Sequence, residues 1–219
     1  MAADSHLQRQ DVAFDMYRRA KDAVLSMGFG PELEWQQSVS FEGFSESDFL
    51  RESAWVILCS GFRERVIRAK FSCISLCFFD WESADLICTY REKCRNAALS
   101  GFGNAGKIDA ILRIAATIVG NGFAAFKTSI QSDAIDHLQT LPYIGPVTAF
   151  HLAKNLGMAV AKPDRHLQRI VRSTGYEDVQ ALCADLARWT GDSIQVVDLV
   201  LWRFSERGLG SARMGHRDV

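Results

Sequence analysis

Apolar residues recur at the spacing of α-helices along most of the chain. Between residues 8 and 27 this spacing predicts one amphipathic helix, whose inward face is formed by Val12, Tyr17, Ala20, Val24 and Leu25. The run Gly28-Phe29-Gly30-Pro31 predicts the end of this helix, because glycine and proline interrupt helical periodicity. Glu34-Trp35 is predicted to lie in the loop that follows.

The later apolar stripes predict a succession of further helices. These are expected over residues 45–59, 63–79, 82–98, 105–118, 121–128, 132–140, 145–157, 164–173, 176–189 and 192–206. Proline, which would interrupt such stripes, occurs at only four positions. We therefore expect an all-α protein.

Composition and charge narrow the functional classes. The 219 residues are enough for one large or two small domains, and 48% of them are apolar. No run of about 18 uncharged apolar residues and no leader-like N-terminus is present, so we expect a soluble, cytoplasmic protein that is not bound to a membrane. We also expect it to be a monomer. If the source is bacterial, the expected location is the nucleoid. The six cysteines, Cys73 and Cys77 among them, are predicted to be reduced thiols in the core.

The net charge of −1 argues against a strong nonspecific nucleic-acid binder, which is usually basic. It leaves room for a local basic face, for which Arg165, Arg169 and Arg172, with Lys154 and Lys162 before them, are candidates. The alternative is that these side chains are ordinary solvated faces of helices.

One stretch of the chain combines a turn, a small-residue helix and a carboxylate. Leu141-Pro142-Tyr143-Ile144-Gly145 predicts a hairpin between two helices, the second of which begins near Gly145. The amide groups of Gly145, Val147 and Thr148 are predicted to point at a phosphate, because the start of a helix offers unpaired N–H groups and glycine permits close approach. Pro163-Asp164 then places a carboxylate where the next helix begins.

Together these features resemble the helix-hairpin-helix DNA glycosylase superfamily, which includes endonuclease III and the alkylpurine glycosylases. The resemblance implies a two-lobed all-α fold within a single domain of residues 1–219, with an active-site cleft between the lobes. Residues 36–140 and the hairpin, 141–157, would form the central bundle, and residues 1–30 with 164–219 the second lobe. It also implies that Tyr143, Gly145, Val147, Thr148, Lys162 and Arg165 contact double-stranded DNA, with a monovalent cation as a candidate bridge at the hairpin.

Tyr143 departs from the family pattern, which has glycine at this position. A left-handed backbone costs a residue with a side chain about 1–2 kcal/mol, so we expect a turn that differs slightly from the usual one. Tyr143 then either contacts the DNA backbone through its hydroxyl or packs on the hairpin.

Asp164 occupies the position of the family's catalytic aspartate. A carboxylate there stabilises the positive charge that develops on the deoxyribose as the base leaves, and it can orient water. For an aspartate after proline the alternative role is helix N-capping alone. His166, two residues later, is expected to make a structural hydrogen bond.

Bifunctional members of the family carry a lysine two residues after the second hairpin glycine, where it forms a Schiff base. Val147 occupies that position here, and Lys154 is two turns further along. We therefore expect a monofunctional enzyme that leaves an abasic site. Only Cys183 lies where the family's iron–sulfur cysteines would be, so neither that cluster nor a zinc site is expected.

Candidates for the base pocket or the intercalating wedge lie in the first third of the chain. They are Glu34, Trp35, Glu52, Trp55, Phe62 and Arg63. Core packing is the alternative for Trp55 and Phe62.

Two substrate classes stay open. One is alkylated purines. The other is enzymatically modified bases, such as a hypermodified cytosine of phage DNA, which would imply a role in antiviral defence. Two alternatives are not enzymes. One is a DNA-binding module without catalytic activity, and the other is a purely structural helical bundle.

Overall fold

The computed structural model describes the backbone of residues 2–206 and the side chains of residues 10–206. Thirteen α-helices are found in this part of the chain, together with a single 3₁₀ turn at Phe79–Trp81 and no β-strand. The helices are α1 (Ala2–Ser26), α2 (Gly30–Ser38), α3 (Glu46–Cys59), α4 (Glu64–Cys77), α5 (Ala84–Thr89), α6 (Arg91–Gly101), α7 (Ala105–Asn121), α8 (Phe123–Ser132), α9 (Ala134–Gln139), α10 (Pro146–Asn155), α11 (Arg165–Thr174), α12 (Val179–Thr190) and α13 (Ile194–Glu206). The predicted all-α class is confirmed.

The described part of the chain forms two compact units, and the first is made of an early and a late stretch. It combines the stretch up to Val39 with the stretch from Gly157, and therefore contains α1, α2 and α11–α13. Its core includes Tyr17, Leu167 and Val200, which are buried on α1, α11 and α13. Burial of such side chains is the main force that holds helices together.

The second unit is Ser40–Leu156 and contains α3–α10. Its α7 packs against α3, α5, α6 and α8, so that an almost continuous apolar face is buried. Asn104 caps the start of α7 by accepting a hydrogen bond from the backbone N–H of Lys107. At the start of α3, Ser45 and Asp48 form a reciprocal capping box.

Three predictions about the helices are wrong. Glu34 and Trp35 lie in α2 and not in a loop, because Pro31 in its first turn starts a new helix. The helix predicted over 82–98 is two helices, since the chain leaves the helical conformation at Tyr90 (φ −106°, ψ 27°). The helix predicted over 63–79 ends at Cys77.

Two burial predictions also need correction. Val12 and Leu25 are exposed, because α1 buries a narrower stripe that includes Tyr17, Ala20 and Val24. Cys73 is exposed and Cys77 only half-buried, whereas Cys94 and Cys183 lie in the core. None of the six cysteines, all of which lie in the described part of the chain, forms a disulfide.

Among the described residues, no single helix has the length and apolarity to cross a membrane. α7 and α8 meet those criteria only when taken as a pair, and that pair is bent by 101°.

Candidate functional site

The hairpin lies between α9 and α10 in the unit of residues 40–156. Leu141 and Ile144 anchor it from inside, since both side chains are buried. Tyr143 between them has φ +64°, so its backbone adopts the left-handed conformation that usually requires glycine. The predicted departure from the usual turn is therefore not seen in this dihedral, and Tyr143 keeps the left-handed backbone at the cost of some local strain.

Gly145 is the N-cap residue of α10, and its amide is already occupied. Its N–H donates to Thr148 Oγ1 at 2.6 Å, and the same hydroxyl lies 3.1 Å from the Gly145 carbonyl. The prediction that this amide points at a phosphate is wrong, because the threonine hydroxyl satisfies it. Pro146 has no N–H, so Val147 and Thr148 supply the unpaired donors expected in the first turn of a helix.

Gly145 nevertheless leaves open space in front of this first turn. A Cβ built there would meet only Thr148 Oγ1, at 3.9 Å, which is an ordinary contact. The folded chain itself therefore does not require glycine at this position. Close approach of another molecule to the backbone is a reason why a side chain would be unfavourable.

A shallow, open groove runs along the hairpin and the start of α10. It has a volume of about 540 Å³ and is lined by Ser60 and residues 143–148. The exposed side chain of Val147 forms part of its wall. Four of the predicted DNA contacts, Tyr143, Gly145, Val147 and Thr148, therefore line one concave surface.

Lys107 connects this groove to the end of α3. Its side chain is buried, and its ammonium group donates to the carbonyls of Ile57, Leu58 (3.2 Å) and Ser60 (2.5 Å). These are carbonyls at the C-terminus of a helix, where a positive charge is favourable. Burial lowers the pKa of this ammonium.

The wedge candidates lie at the loop between α3 and α4. Phe62 is exposed and packs on Phe102, with ring centroids 5.4 Å apart and the two rings tilted by 53°. Arg63, also exposed, precedes the first residue of α4. Trp55 is half-buried between Phe71, at 5.0 Å, and the guanidinium of Arg68, at 5.4 Å. Trp55 is not among the residues that line the groove.

Glu52 lies between α3 and α10 and is buried. Its carboxylate accepts a hydrogen bond from Asn155 Nδ2 at 2.9 Å and lies 3.3 Å from Arg51 Nε. Burial raises the pKa of this carboxyl, while Arg51 and Asn155 oppose the rise. Glu52 therefore links α3, which precedes the α3–α4 loop, to α10, which follows the hairpin.

We expect Glu52→Gln to raise the melting temperature, and to raise it more at pH 8 than at pH 4. The pKa of Glu52 is raised above its ordinary value of 4.5, so the protonated carboxyl favours the folded state. This contribution to the free energy of unfolding is fully present below pH 4.5. It is lost as the pH rises through the folded-state pKa and the buried carboxyl becomes charged. Glutamine keeps an acceptor for Asn155 without a buried charge. Thermal unfolding from pH 4 to 8 measures this, and a difference that shrinks with rising pH would contradict it.

Asp164 lies in the other unit, where it caps α11. Its Oδ1 accepts hydrogen bonds from the backbone N–H groups of His166, at 2.8 Å, and Leu167, at 3.2 Å. Its Oδ2 is 3.7 Å from Lys162 Nζ, and the side chain is 12% exposed. Asp164 is therefore the N-cap residue of α11, and only one of its two carboxylate oxygens makes the capping hydrogen bonds.

Two side chains of the same unit fix the backbone just before Asp164. Gln180 on α12 accepts from the Ala161 N–H at 2.9 Å and donates to the Ala161 carbonyl at 2.5 Å. The buried carboxylate of Asp198 on α13 accepts from the Lys162 N–H at 2.6 Å. The Asp164 N–H donates in turn to the Lys162 carbonyl at 2.8 Å, so Asp164 stands on a well-supported turn.

The remaining candidates of this unit lie on α11 or on α2. Arg165 is exposed at the start of α11. His166 Nδ1 lies 3.2 Å from Ser205 Oγ, and burial lowers the pKa of its imidazole. Glu34 is exposed and Trp35 half-buried on α2.

No group of three or more His, Cys, Asp or Glu side chains that could hold a metal ion is found in the described part of the chain.

Similarity to a solved structure connects this geometry with a known fold. The structure is similar to the crystal structure of the 8-oxoguanine DNA glycosylase of Thermotoga maritima, with a TM-score of 0.58 and 18% identity, covering 89% of this chain and 96% of that chain. The chain has a DNA glycosylase fold. The resemblance drawn from the hairpin motif is thus confirmed at the level of the fold. No protein-family model and no curated protein sequence matches the chain.

Two charged residues that organise the fold here were not among the site residues predicted from the sequence. Lys107 lies on the same helical face as Ile111 and Ile114, and a lysine within a buried stripe is the signal that could have identified it. Asp198 likewise interrupts an apolar run in α13. Charged residues at such positions must find partners, since an unpaired buried charge is costly.

Proposed function

We propose that this protein is a monofunctional DNA glycosylase that hydrolyses the bond between a flipped base and its deoxyribose. The observation that carries the proposal is Asp164, whose Oδ1 caps α11 while Oδ2 makes no backbone hydrogen bond and faces Lys162. The DNA glycosylase fold and the groove at the hairpin support it.

The chemistry required of Asp164 is electrostatic. As the C1′–N bond breaks, its electron pair leaves with the base and positive charge develops on the sugar. Water then forms a bond to C1′, and its proton passes to the departing base. A fixed carboxylate stabilises the charged sugar and orients the water, which is the role that its Oδ2 can fill.

The hairpin would hold the DNA during this step. The free N–H groups at the start of α10 and the open approach at Gly145 suit a phosphate of double-stranded DNA. Lys162 and Arg165 add positive charge beside Asp164. A monovalent cation at the hairpin carbonyls is a further component of this proposal, which needs no cluster and no zinc.

Val147 is the basis for proposing hydrolysis without strand cleavage. It stands where bifunctional enzymes carry their Schiff-base lysine, and its side chain cannot form an imine. Lys154, further along α10, is buried. The expected product is therefore an intact strand with an abasic site. We also propose that the protein acts as a monomer.

Alkylated purines are the substrate class that we propose first. An electron-poor alkylated base leaves with its electron pair readily, so aromatic contacts and Asp164 are sufficient for its removal. An enzymatically modified base, as in phage DNA, is the alternative, and the departure from the family pattern at Tyr143 favours it. Because a protein of similar fold acts on 8-oxoguanine, that base belongs in any substrate panel.

We expect the purified protein to release free base from at least one member of a panel of modified DNAs. The panel contains alkylated, uracil-containing, 8-oxoguanine and phage-modified duplexes, and mass spectrometry detects the released base. Alkali should convert the products to nicked strands, whereas without heat or alkali no nicks should form. Nicking without alkali would contradict the monofunctional assignment. DNA binding with no base released from any substrate would favour a noncatalytic binding module. Absence of DNA affinity at low salt would favour a purely structural helical bundle.

A further inference from the structure

Two exposed aromatic rings share one buried cation in the unit of residues 40–156. Phe62 is 43% exposed and Tyr143 46%, although both are large side chains. Lys107 Nζ lies 5.2 Å from the centroid of the Phe62 ring and 5.8 Å from that of Tyr143. The rings come from the α3–α4 loop and from the hairpin, so Lys107 is the point at which these two segments meet.

The ammonium of Lys107 is committed to the protein itself. Its three donors are matched by the three carbonyls at the end of α3, at Ile57, Leu58 and Ser60. It therefore acts as a fixed positive charge that holds the two rings, as cation–π contacts do, and not as a ligand for phosphate. What remains available to another molecule is the exposed area of the rings.

The position of each ring is set by an unusual turn. Tyr143 has φ +64°, and Phe62 follows Gly61, which has φ +75°. The Tyr143 hydroxyl lies so close to Gly106 that a Cβ at Gly106 would clash with it. Glycine adopts a positive φ without strain, so the strained backbone is that of Tyr143. An exposed ring held by a strained backbone adds little to the core, and such strain is typical of functional positions.

We propose that Phe62 and Tyr143 form a stacking surface for one unpaired nucleobase of the bound DNA. The proposal rests on the proposed function, because removing a base from the helix leaves its partner unpaired. Ser60 and Tyr143 also line the hairpin groove, so this surface continues into the proposed phosphate site. Aromatic rings stack on any base, and the contact does not depend on its hydrogen-bonding edge.

Binding to two abasic duplexes tests the proposal independently of catalysis. In one duplex a tetrahydrofuran residue faces an unpaired base, and in the other tetrahydrofuran residues face each other. We expect the wild-type protein to bind the first at least about fivefold more tightly, since stacking on one base commonly gives that much or more. Tyr143→Leu and Phe62→Leu should each reduce this preference, which is the ratio of the two dissociation constants and so separates a loss of base stacking from a general loss of DNA affinity.

Tyr90→Leu provides a matched control. Tyr90 is also an exposed tyrosine with a lysine over its ring, Lys93 at 5.1 Å, but it does not line the groove. Its substitution should leave the preference for the unpaired base intact. A similar loss in this variant would overturn the assignment to Phe62 and Tyr143.

The packing of Tyr143 on Gly106 allows a second, positional test. Gly106→Ala places a methyl group against the hydroxyl, so it should displace the ring and reduce the preference without unfolding the protein. Adding Tyr143→Phe removes the clashing oxygen, and the next ring carbon lies 3.4 Å from the added Cβ, which is a tolerable contact. The double variant should therefore regain the preference.

The outcomes separate this proposal from the proposed function. Retention of the wild-type preference in both leucine variants overturns the stacking surface, whatever base is released. Absence of a preference in the wild-type protein overturns it as well. If the preference follows the variants as expected and no base is released from any substrate, the glycosylase assignment fails and the stacking surface stands.

Discussion

Asp164→Asn is expected to reduce the rate of base release by on the order of 10²–10³-fold. Asparagine cannot supply the negative charge that stabilises the sugar cation. It can still accept the two backbone hydrogen bonds that Asp164 Oδ1 accepts at the start of α11, because asparagine is as good an N-cap as aspartate. The free energy of unfolding should thus change by less than about 1 kcal/mol. Single-turnover base release and thermal unfolding measure the two effects.

Asp164→Ala is the matched comparison for this prediction. It removes the charge and the N-cap together, so it should lose the same activity and also about 1 kcal/mol of stability. DNA affinity should be retained in the asparagine variant. Wild-type turnover by Asp164→Asn would refute the catalytic role and leave Asp164 as a capping residue only.

Lys107→Met is expected to lower the free energy of unfolding by about 3 kcal/mol or more. Methionine fills much of the same volume but leaves the carbonyls at the end of α3 without their donor, and each buried polar group left unpaired costs about 1–3 kcal/mol. Denaturant-induced unfolding gives the difference.

Lys70→Met is the control for Lys107→Met. Lys70 also donates to a carbonyl at the end of a helix, that of Gly101 at 2.8 Å, but the lysine is exposed. Water can replace its hydrogen bond, so the change should stay within about 0.5 kcal/mol. Equal effects of the two substitutions would show that burial of Lys107 has no energetic importance.

The carboxylate and the hairpin could be predicted from the sequence because their signals are local. Leu141-Pro142-Tyr143-Ile144-Gly145 and Pro163-Asp164 each place turn-forming residues next to a helix start, and α10 and α11 begin directly after them. The structure adds that Asp164 uses one oxygen as an N-cap and that Thr148 occupies the Gly145 amide. Those details depend on side-chain conformation, which the order of residue types leaves open.

The pocket candidates could be predicted less well. Trp55 and Glu52 were candidates for the pocket or the wedge, yet Trp55 packs on Phe71 and Arg68, and Glu52 is buried against Asn155. Aromatic and acidic residues are common in cores as well as in binding sites, so their type does not distinguish the two environments.

By itself the sequence determined the helical class, most helix positions and the place of the hairpin and Asp164 along the chain, because helical periodicity and turn formation involve residues only a few positions apart. The tertiary structure alone decided that Lys107 binds the Ile57 carbonyl across 50 positions and that Asn155 binds Glu52 across 103. It also decided which aromatic rings are exposed beside the groove. Such contacts follow from how helices pack, and packing is set by the combined shape of many buried side chains and not by any single stretch of the chain.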